Sequence, residues 1–165
     1  MAVVIWLLFS GSTGWAGGLD LSAMVREGRY RMALSAARKI LDRAPDDADA
    51  MAIFGAASAR AGYFGDAVGA FALSAGSSWY DDFGLEIHAD SVRALGHGRE
   101  AAVMHLERVG MGDLPLGREL RIRLDIADDY REAGDPWTAL EQVEVALALA
   151  PLSPVVHAVM ADCWL

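Results

Sequence analysis

The fold of this chain is decided by the stretch Phe54–Phe71, which reads FGAASARAGYFGDAVGAF. Within it a glycine, Gly62, is followed five residues later by an alanine, Ala67. The same pair recurs at Gly28/Ala33, Gly96/Ala101 and Gly134/Ala139, and successive glycines stand 34, 34 and 38 residues apart. A repeat of this period is typical of a solenoid that is built from helical hairpins.

Further positions recur in register with these pairs. Seven residues before each glycine comes a mostly small residue: Leu21, Gly55, Ala89 and Ala127. Nine residues after each glycine come Ala37, Phe71, His105 and Val143. A small residue lets the two helices of a hairpin approach closely, and the glycine adopts the unusual backbone angles of a tight turn. Pro45 and Pro151 follow the first and fourth glycines by seventeen residues, where a proline ends the second helix.

These residues resemble the pattern of the tetratricopeptide repeat (TPR) family over roughly residues 20–165. The resemblance implies an all-α, right-handed superhelical solenoid of helix–turn–helix hairpins. We expect helices near 20–27, 31–44, 48–61, 64–76, 82–95, 98–109, 117–133, 136–149 and 154–164. The expected TPR domain spans 17–165, with units of about 17–47, 48–81, 82–119 and 120–153 and a trailing helix at 154–165.

The third unit departs from the family pattern. Gly98 and His105 stand where bulky apolar residues are usual, and the unit contains four additional residues. We therefore expect a longer loop or an added turn at Gly110–Gly117. Elsewhere the local signals agree with the register, because Asp135-Pro136 and Ser153-Pro154 each place a capping side chain before a proline at the first helical position.

The composition limits the partners of this chain. With 54% hydrophobic residues it is too apolar for a disordered tail. The net charge of −9 argues against nucleic acid, since such proteins normally carry a basic patch that neutralises phosphate. We expect the 14 basic residues to be scattered across the helices without forming a cluster.

The N-terminal segment predicts export. Ala2–Phe9 is an unbroken apolar run, and Gly14 and Ala16 fit the −3 and −1 positions of a signal peptide that spans residues 1–16. The run is too short to cross a bilayer as it stands. Membrane attachment is expected only if this N-terminal segment remains uncleaved. No Lys or Arg precedes the run, which leaves two explanations. Either the start is misplaced and an upstream basic stretch is missing, or the run is an apolar helix that covers the first repeat, in which case the protein is cytoplasmic. We expect a periplasmic protein.

The trailing helix is apolar where a terminal repeat normally carries a polar cap. Val155, Val156, Val159, Met160 and Trp164 all lie in it. Two explanations fit: the chain is a fragment of a longer solenoid, or the apolar side of this helix is covered by a partner. The second explanation includes self-association through residues 154–165.

By the family register, the first helices of successive units line a concave surface on which partner peptides or helices dock. The residues expected to make contact there are Arg60, Phe83, Glu86, Asp90, Arg93, Arg121, Leu124, Asp128, Arg131 and Asp162, with apolar contact from Ala56. Asp90, Asp128 and Asp162 share one repeat position, and Arg93 and Arg131 follow the first two by three residues. This is either a charged ladder that recognises a polar or mixed-charge peptide, or a set of local ion pairs that select nothing.

The sequence gives little support for a catalytic site or a metal site. His88 and His105 are expected to face each other inside the third hairpin, but a catalytic zinc site usually needs three protein ligands, so core histidines are the favoured interpretation. The phosphate-binding glycine loop and the nucleophile elbow are both missing from the sequence. The single Cys163 lies in an apolar helix, which favours a buried structural thiol. We expect no cofactor, no metal and no enzymatic activity.

The sequence thus predicts a protein–protein interaction scaffold or adaptor, in the role of an envelope assembly or complex-organising factor. Its partner would be another protein that presents a peptide or a helix. The alternative is a regulatory or targeting TPR module of a larger protein, an enzyme included.

Overall fold

The computed structural model describes residues 20–77, 79–80 and 84–164, and these residues form nine helices. The helices are α1 (Leu21–Arg26), α2 (Tyr30–Leu41), α3 (Ala48–Arg60), α4 (Phe64–Leu73), α5 (Leu85–Ala94), α6 (Gly98–Gly110), α7 (Leu116–Glu132), α8 (Pro136–Leu149) and α9 (Pro154–Cys163). Each helix packs against the next one in the chain. The predicted all-α solenoid of hairpins is confirmed.

Odd-numbered helices form one layer of the solenoid. We call α1, α3, α5, α7 and α9 the A helices, and α2, α4, α6 and α8 the B helices. Within the A layer, α3 contacts both α1 and α5, and α7 contacts α9. The surface that the A helices present away from the B helices is called the A face below, and it is the surface that the family register assigns to partners.

The recurrent glycines and alanines perform the tasks that their spacing predicts. Gly28, Gly62, Gly96 and Gly134 all have positive φ angles, between 78° and 87°, in the turns between the helices of each hairpin. The alanines of the four glycine/alanine pairs are all fully buried: Ala33, Ala67, Ala101 and Ala139. Gly55 allows a close approach, because a Cβ atom there would lie 3.2 Å from the ring of Phe71 and 3.3 Å from the carbonyl oxygen of Ala67.

Two helices end earlier than the sequence indicates. The helix expected at 31–44 ends at Leu41, and the helix expected at 64–76 ends at Leu73. In the second case the hydroxyl of Ser74 donates to the carbonyl of Phe71 at 2.9 Å, and Gly76 adopts a φ of 89°. Both features end an α-helix. The Ser74 hydroxyl occupies a carbonyl at the end of the helix, and the left-handed backbone of Gly76 is incompatible with a further helical turn.

The connection to the fourth hairpin is a loop. The helix α6 continues through Gly110, and residues 111–115 then form a loop in which Gly112 and Asp113 have φ angles of 76° and 55°. At the next turn Asp135 accepts a hydrogen bond from the backbone N–H of Thr138 at 3.2 Å, as predicted. Ser153 precedes Pro154 as expected but its side chain makes no capping hydrogen bond, so that part of the prediction is wrong.

The predicted signal peptide at residues 1–16 and the predicted contact residue Phe83 lie outside the described residues. Within the described ranges, no helix has the length and apolar character that crossing a bilayer requires.

The buried apolar residues fall into four clusters along the solenoid. The largest joins α1–α4 to Ile87 of α5, and a small one joins α5 to α6 through Ala89, Val92 and Ala101. A third joins α6 to α7 through Ala102, Ile122 and Ile126, and the fourth joins α7, α8 and α9. Among the described residues, none of these clusters contains both α5 and α7 side chains. These two neighbouring A helices are therefore joined by other interactions.

Two alanine substitutions test the packing of the glycines. A Cβ atom on Gly98 would lie 2.7 Å from the carbonyl oxygen of Asp129, whereas a Cβ atom on Gly69, in the interior of α4, would meet nothing within 4 Å. We expect Gly98→Ala to lower the free energy of unfolding by about 1–3 kcal/mol because backbone must move. We expect Gly69→Ala to raise it by about 0.5–1 kcal/mol because alanine favours a helix. Urea denaturation measures both, and equal effects of the two substitutions would contradict the close contact at Gly98.

Candidate functional site

The structure distributes the predicted contact residues over the A helices. Arg60 ends α3, Glu86, Asp90 and Arg93 lie on α5, and Asp162 lies on α9. The remaining described members, Arg121, Leu124, Asp128 and Arg131, lie on α7. Arg60, Asp90, Arg121, Arg131 and Asp162 are exposed, and Leu124 and Asp128 are half-buried. The A face therefore presents charged groups from α3 through α9.

Ala56, one of the predicted apolar contacts, is not available to a partner. Ala56 is fully buried and belongs to the same core cluster as Met24, Val25 and Ile87. Its neighbours on α3, Ala52 and Ala59, are buried as well. The prediction that Ala56 contacts a partner is wrong, because the small side chains of α3 are covered within the chain.

Glu86 is buried and its carboxylate is bound by arginines. Arg118 lies 2.6 Å from Oε1, Arg121 lies 2.9 Å from Oε2, and Nε of Arg108 lies 3.7 Å from Oε1. Arg118 and Arg121 belong to α7 and Arg108 belongs to α6, so this single carboxylate of α5 contacts two other helices. Glu86 thus holds α5 against α7 and orients Arg121, which is itself exposed.

Arg93 makes the second connection between α5 and α7. Its Nε lies 2.6 Å from Oδ1 of Asp129, and its Nη1 lies 3.6 Å from Oδ1 of Asp125. The local pair that the sequence suggested is also present, with Arg93 and Asp90 3.6 Å apart, as is the pair of Arg131 and Asp128 at 3.3 Å. The shortest contact of Arg93 is nevertheless with a helix that lies 36 residues further along the chain.

Asp129 is the residue that sequence reasoning missed. Its side chain is 0% exposed, and in addition to Arg93 it contacts His105, whose Nδ1 lies 3.1 Å from Oδ2. Gly98, at the first position of α6, contacts the backbone of Asp129. Gly98 and His105 are the two departures of the third unit from the family pattern, and both face this one residue. Their coincidence was the signal that could have revealed a polar partner on α7.

The buried His105–Asp129 pair resembles the histidine and aspartate of a catalytic triad, but the other neighbours of His105 differ from those of a triad histidine. His105 is buried, and its second ring nitrogen, Nε2, faces the carboxylate of Asp90 at 3.9 Å. A general base would need a hydroxyl or thiol nucleophile at that nitrogen. Burial also raises the pKa of the neighbouring Asp125 carboxyl, with the Arg93 guanidinium opposing the shift. Arg93 is thus the shared cationic neighbour of Asp90, Asp125 and Asp129.

The rings of His88 and His105 have different neighbours. His88 stacks on Phe71 with ring centroids 5.0 Å apart, and its Nδ1 is hydrogen-bonded to the hydroxyl of Tyr80 at 2.8 Å. Burial lowers the pKa of His88, which favours its neutral form. The expectation that the two rings face each other is wrong, because each is directed to its own partner. Across the described ranges, no group of three or more His, Cys, Asp or Glu side chains is placed to hold a metal ion.

Two further histidines and the single cysteine lie apart from these contacts. His97 is exposed in the turn before α6. His157 is exposed on α9, with Nε2 3.0 Å from the carbonyl oxygen of Pro151. Cys163 is buried, and burial raises the pKa of its thiol, which makes it less reactive.

Comparison with solved structures identifies the architecture. MamA matches with a TM-score of 0.71 and 12% identity, over 88% of this chain and 83% of the MamA chain. PilF from Pseudomonas aeruginosa matches with a TM-score of 0.63 and 21% identity, over 87% of this chain and 64% of the other. TTC0263, described as a thermophilic TPR protein from Thermus thermophilus, matches with a TM-score of 0.58 and 17% identity, over 87% of this chain and 77% of the other.

These likenesses show that the chain has the TPR fold, as the sequence resemblance predicts. The chain spans less than two thirds of the PilF chain. No protein-family model matches the chain, and no curated protein does.

Two adjacent aspartates on α7 provide a test of the buried cluster. Asp129 is fully buried, whereas the side chain of Asp128 is 42% exposed. We expect Asp129→Ala to lower the free energy of unfolding by about 3–5 kcal/mol, because Arg93 loses its closest carboxylate inside the protein. We expect Asp128→Ala to change it by about 0.5 kcal/mol or less, since exposed pairs contribute little. Urea denaturation followed by circular dichroism compares the two, and similar losses would contradict the role given to Asp129.

Proposed function

We propose that this chain is a scaffold that binds a segment of another protein along the A face. The TPR fold supports a protein-interaction role, and one observation supports the A face as the place. Asp90, Asp128 and Asp162 hold the same position on α5, α7 and α9, and all three side chains reach solvent. They form a row of carboxylates that crosses three successive A helices.

The row favours a partner segment with regularly spaced cations. Asp90 and Asp128 lie 3.6 and 3.3 Å from Arg93 and Arg131, and Asp162 has no ion-pair partner among the described residues. Since exposed pairs of this kind are weak, the three carboxylates remain open to a partner's cations. Packed helices lie about 8–10 Å apart. A partner segment in the polyproline II conformation advances about 9 Å in three residues, and a partner helix advances about 10 Å in seven; in both cases the side chains at these intervals lie on one side of the segment. We infer that the partner carries Lys or Arg at every third residue if it adopts the polyproline II conformation, or at every seventh if it is helical.

Exposed arginines add selectivity to this surface. Arg121 is held by Glu86 and Arg131 is held by Asp128, so both guanidinium groups are oriented while remaining accessible. Oriented charges of both signs fix the register of a partner and reject segments of the wrong pattern. This arrangement favours a mixed-charge segment over a uniformly basic one.

We further propose that the chain acts after export, as an organiser of a protein complex in the cell envelope. This proposal is supported by the apolar run Ala2–Phe9 and the small residues that follow it. If it is correct, protein isolated from its own host begins at Gly17. An N-terminus at Met1 in a cytoplasmic fraction would overturn the export proposal and leave the A-face proposal intact.

Photo-crosslinking from matched alanines tests the A-face proposal. Ala94 and Ala158 are exposed on the A helices α5 and α9, and Ala72 and Ala148 are exposed on the B helices α4 and α8. With benzoylphenylalanine at each position in the native host, we expect one and the same protein to be crosslinked from Ala94 and Ala158, and not from the two B-helix positions.

The row of carboxylates, Asp90, Asp128 and Asp162, provides a specificity control for the crosslinking experiment. In the Ala94 and Ala158 variants we expect Asp128→Lys to reduce the crosslinked product at least roughly fivefold, since the central carboxylate then repels the partner's cations. Crosslinking of the same protein from all four alanines, or a yield that Asp128→Lys leaves unchanged, would overturn the proposal.

A further inference from the structure

The charges of this chain are divided between its two ends. Residues 26–43 carry six basic residues and two acidic ones, and residues 132–164 carry five acidic residues and no Lys or Arg. The basic residues are Arg26, Arg29, Arg31, Arg38, Lys39 and Arg43. The sequence-based expectation of scattered basic residues is therefore wrong for this segment. Since the whole chain has a net charge of −9, this segment is locally positive in a negative protein.

The folded chain turns this segment into an open cleft. The cleft has a volume of about 970 Å³ and lies between α2, the turn before it, and the start of α4. Arg29, Arg31, Arg38 and Lys39 line it, together with one carboxylate, that of Asp66. Arg31 and Lys39 are exposed, and neither has a carboxylate within ion-pair distance among the described residues. These two cations are available to a partner.

Exposed aromatic and apolar side chains accompany the cations. Tyr63 and Met32 line the same cleft and are more than half exposed. Arg38 lies over the ring of Phe54, 5.4 Å from its centroid, which restrains the guanidinium group at the cleft. Tyr, Arg and Met are the residue types that concentrate in protein interfaces. The cleft lies on the B-helix side of the first hairpin, so it is distinct from the A face.

A second surface, formed by α8 and α9, has the complementary character. Trp137 and Trp164 pack edge to face with centroids 6.1 Å apart, and they are 70% and 66% exposed. Leu152, in the turn between the two helices, is 91% exposed. Glu141 and Glu144 are exposed on α8 and have no ion-pair partner among the residues that the structure describes. This surface combines an aromatic anchor with unpaired carboxylates.

We propose that the α8–α9 surface of one copy of this chain docks into the α2 cleft of a second copy. Opposite charges guide the two surfaces together, and the tryptophan pair supplies apolar area that the tyrosine and methionine of the cleft can cover. The two surfaces belong to different parts of the chain, so the contact is heterologous and joins copies head to tail. The contact uses none of Asp90, Asp128 and Asp162, so it is independent of the function proposed above.

Reciprocal charge reversal tests this contact with the full chain. Arg31→Glu/Lys39→Glu makes the cleft negative, and Glu141→Lys/Glu144→Lys makes the α8–α9 surface positive. In light scattering coupled to size exclusion at about 50 mM NaCl, where screening is weak, we expect the wild type to self-associate and each double variant to have a dissociation constant at least roughly tenfold higher. An equimolar mixture of the two variants should regain association, because each then presents a surface opposite in charge to one on the other.

A matched control removes the effect of net charge. Arg26→Glu/Arg43→Glu introduces the same charge change as the cleft variant at exposed positions that do not line the cleft, and we expect it to self-associate like the wild type. Circular dichroism verifies that each variant is folded. A wild type that stays monomeric at about 200 µM, a control variant that dissociates equally, or a mixture that fails to associate would overturn the proposal.

Discussion

The buried carboxylate of Asp129 is the constraint on which the middle of this solenoid depends. A charge removed from water must be paired, and here the partners come from two other helices: Arg93 of α5 and His105 of α6. The backbone of the same residue lies against Gly98, which fixes how closely the start of α6 approaches α7. Three helices thus meet at one residue. Because no apolar cluster of the described residues spans α5 and α7, the relative placement of these helices depends on Asp129 and on the pairing of Glu86 with Arg118 and Arg121.

This constraint also decides which charges remain for binding. Arg93 and Glu86 were expected to contact a partner, yet their closest partners lie within the chain. What remains on the A face is the aspartate row together with the exposed Arg60, Arg121 and Arg131; Glu86 holds Arg121, and Asp128 of the row itself holds Arg131. Ala56 and its neighbours on α3 are covered, so the part of this surface that the structure describes is mostly polar. A polar surface of this kind supports recognition by charge pattern more than by apolar area.

The sequence was sufficient for the repeat architecture and insufficient for the site. The glycine and alanine columns report contacts within one hairpin, and such contacts lie at fixed sequence separations, so the nine helices of the described residues could be predicted closely. Where a helix ended early, as at Leu73, the cause was a side-chain hydrogen bond from Ser74 that spacing alone does not reveal. The partners of Asp129 lie 24 and 36 residues away, and they depend on how neighbouring hairpins are stacked. The clustering of the cations on α2 was visible in the sequence, but its significance required the cleft that the fold creates.

Hydrogen exchange measured by mass spectrometry on the wild type and on Asp129→Asn tests the central claim most directly. The substitution keeps the shape of the side chain and removes the charge that joins α5, α6 and α7. In a solenoid each unit contacts only its neighbours, so loss of one contact between helices should destabilise only the helices around it. We predict at least roughly tenfold faster exchange in α5, in the first half of α6 and in α7, with exchange in α2, α3 and α4 unchanged. Faster exchange confined to α7, or spread evenly over all helices, would contradict the claim that this carboxylate joins α5, α6 and α7.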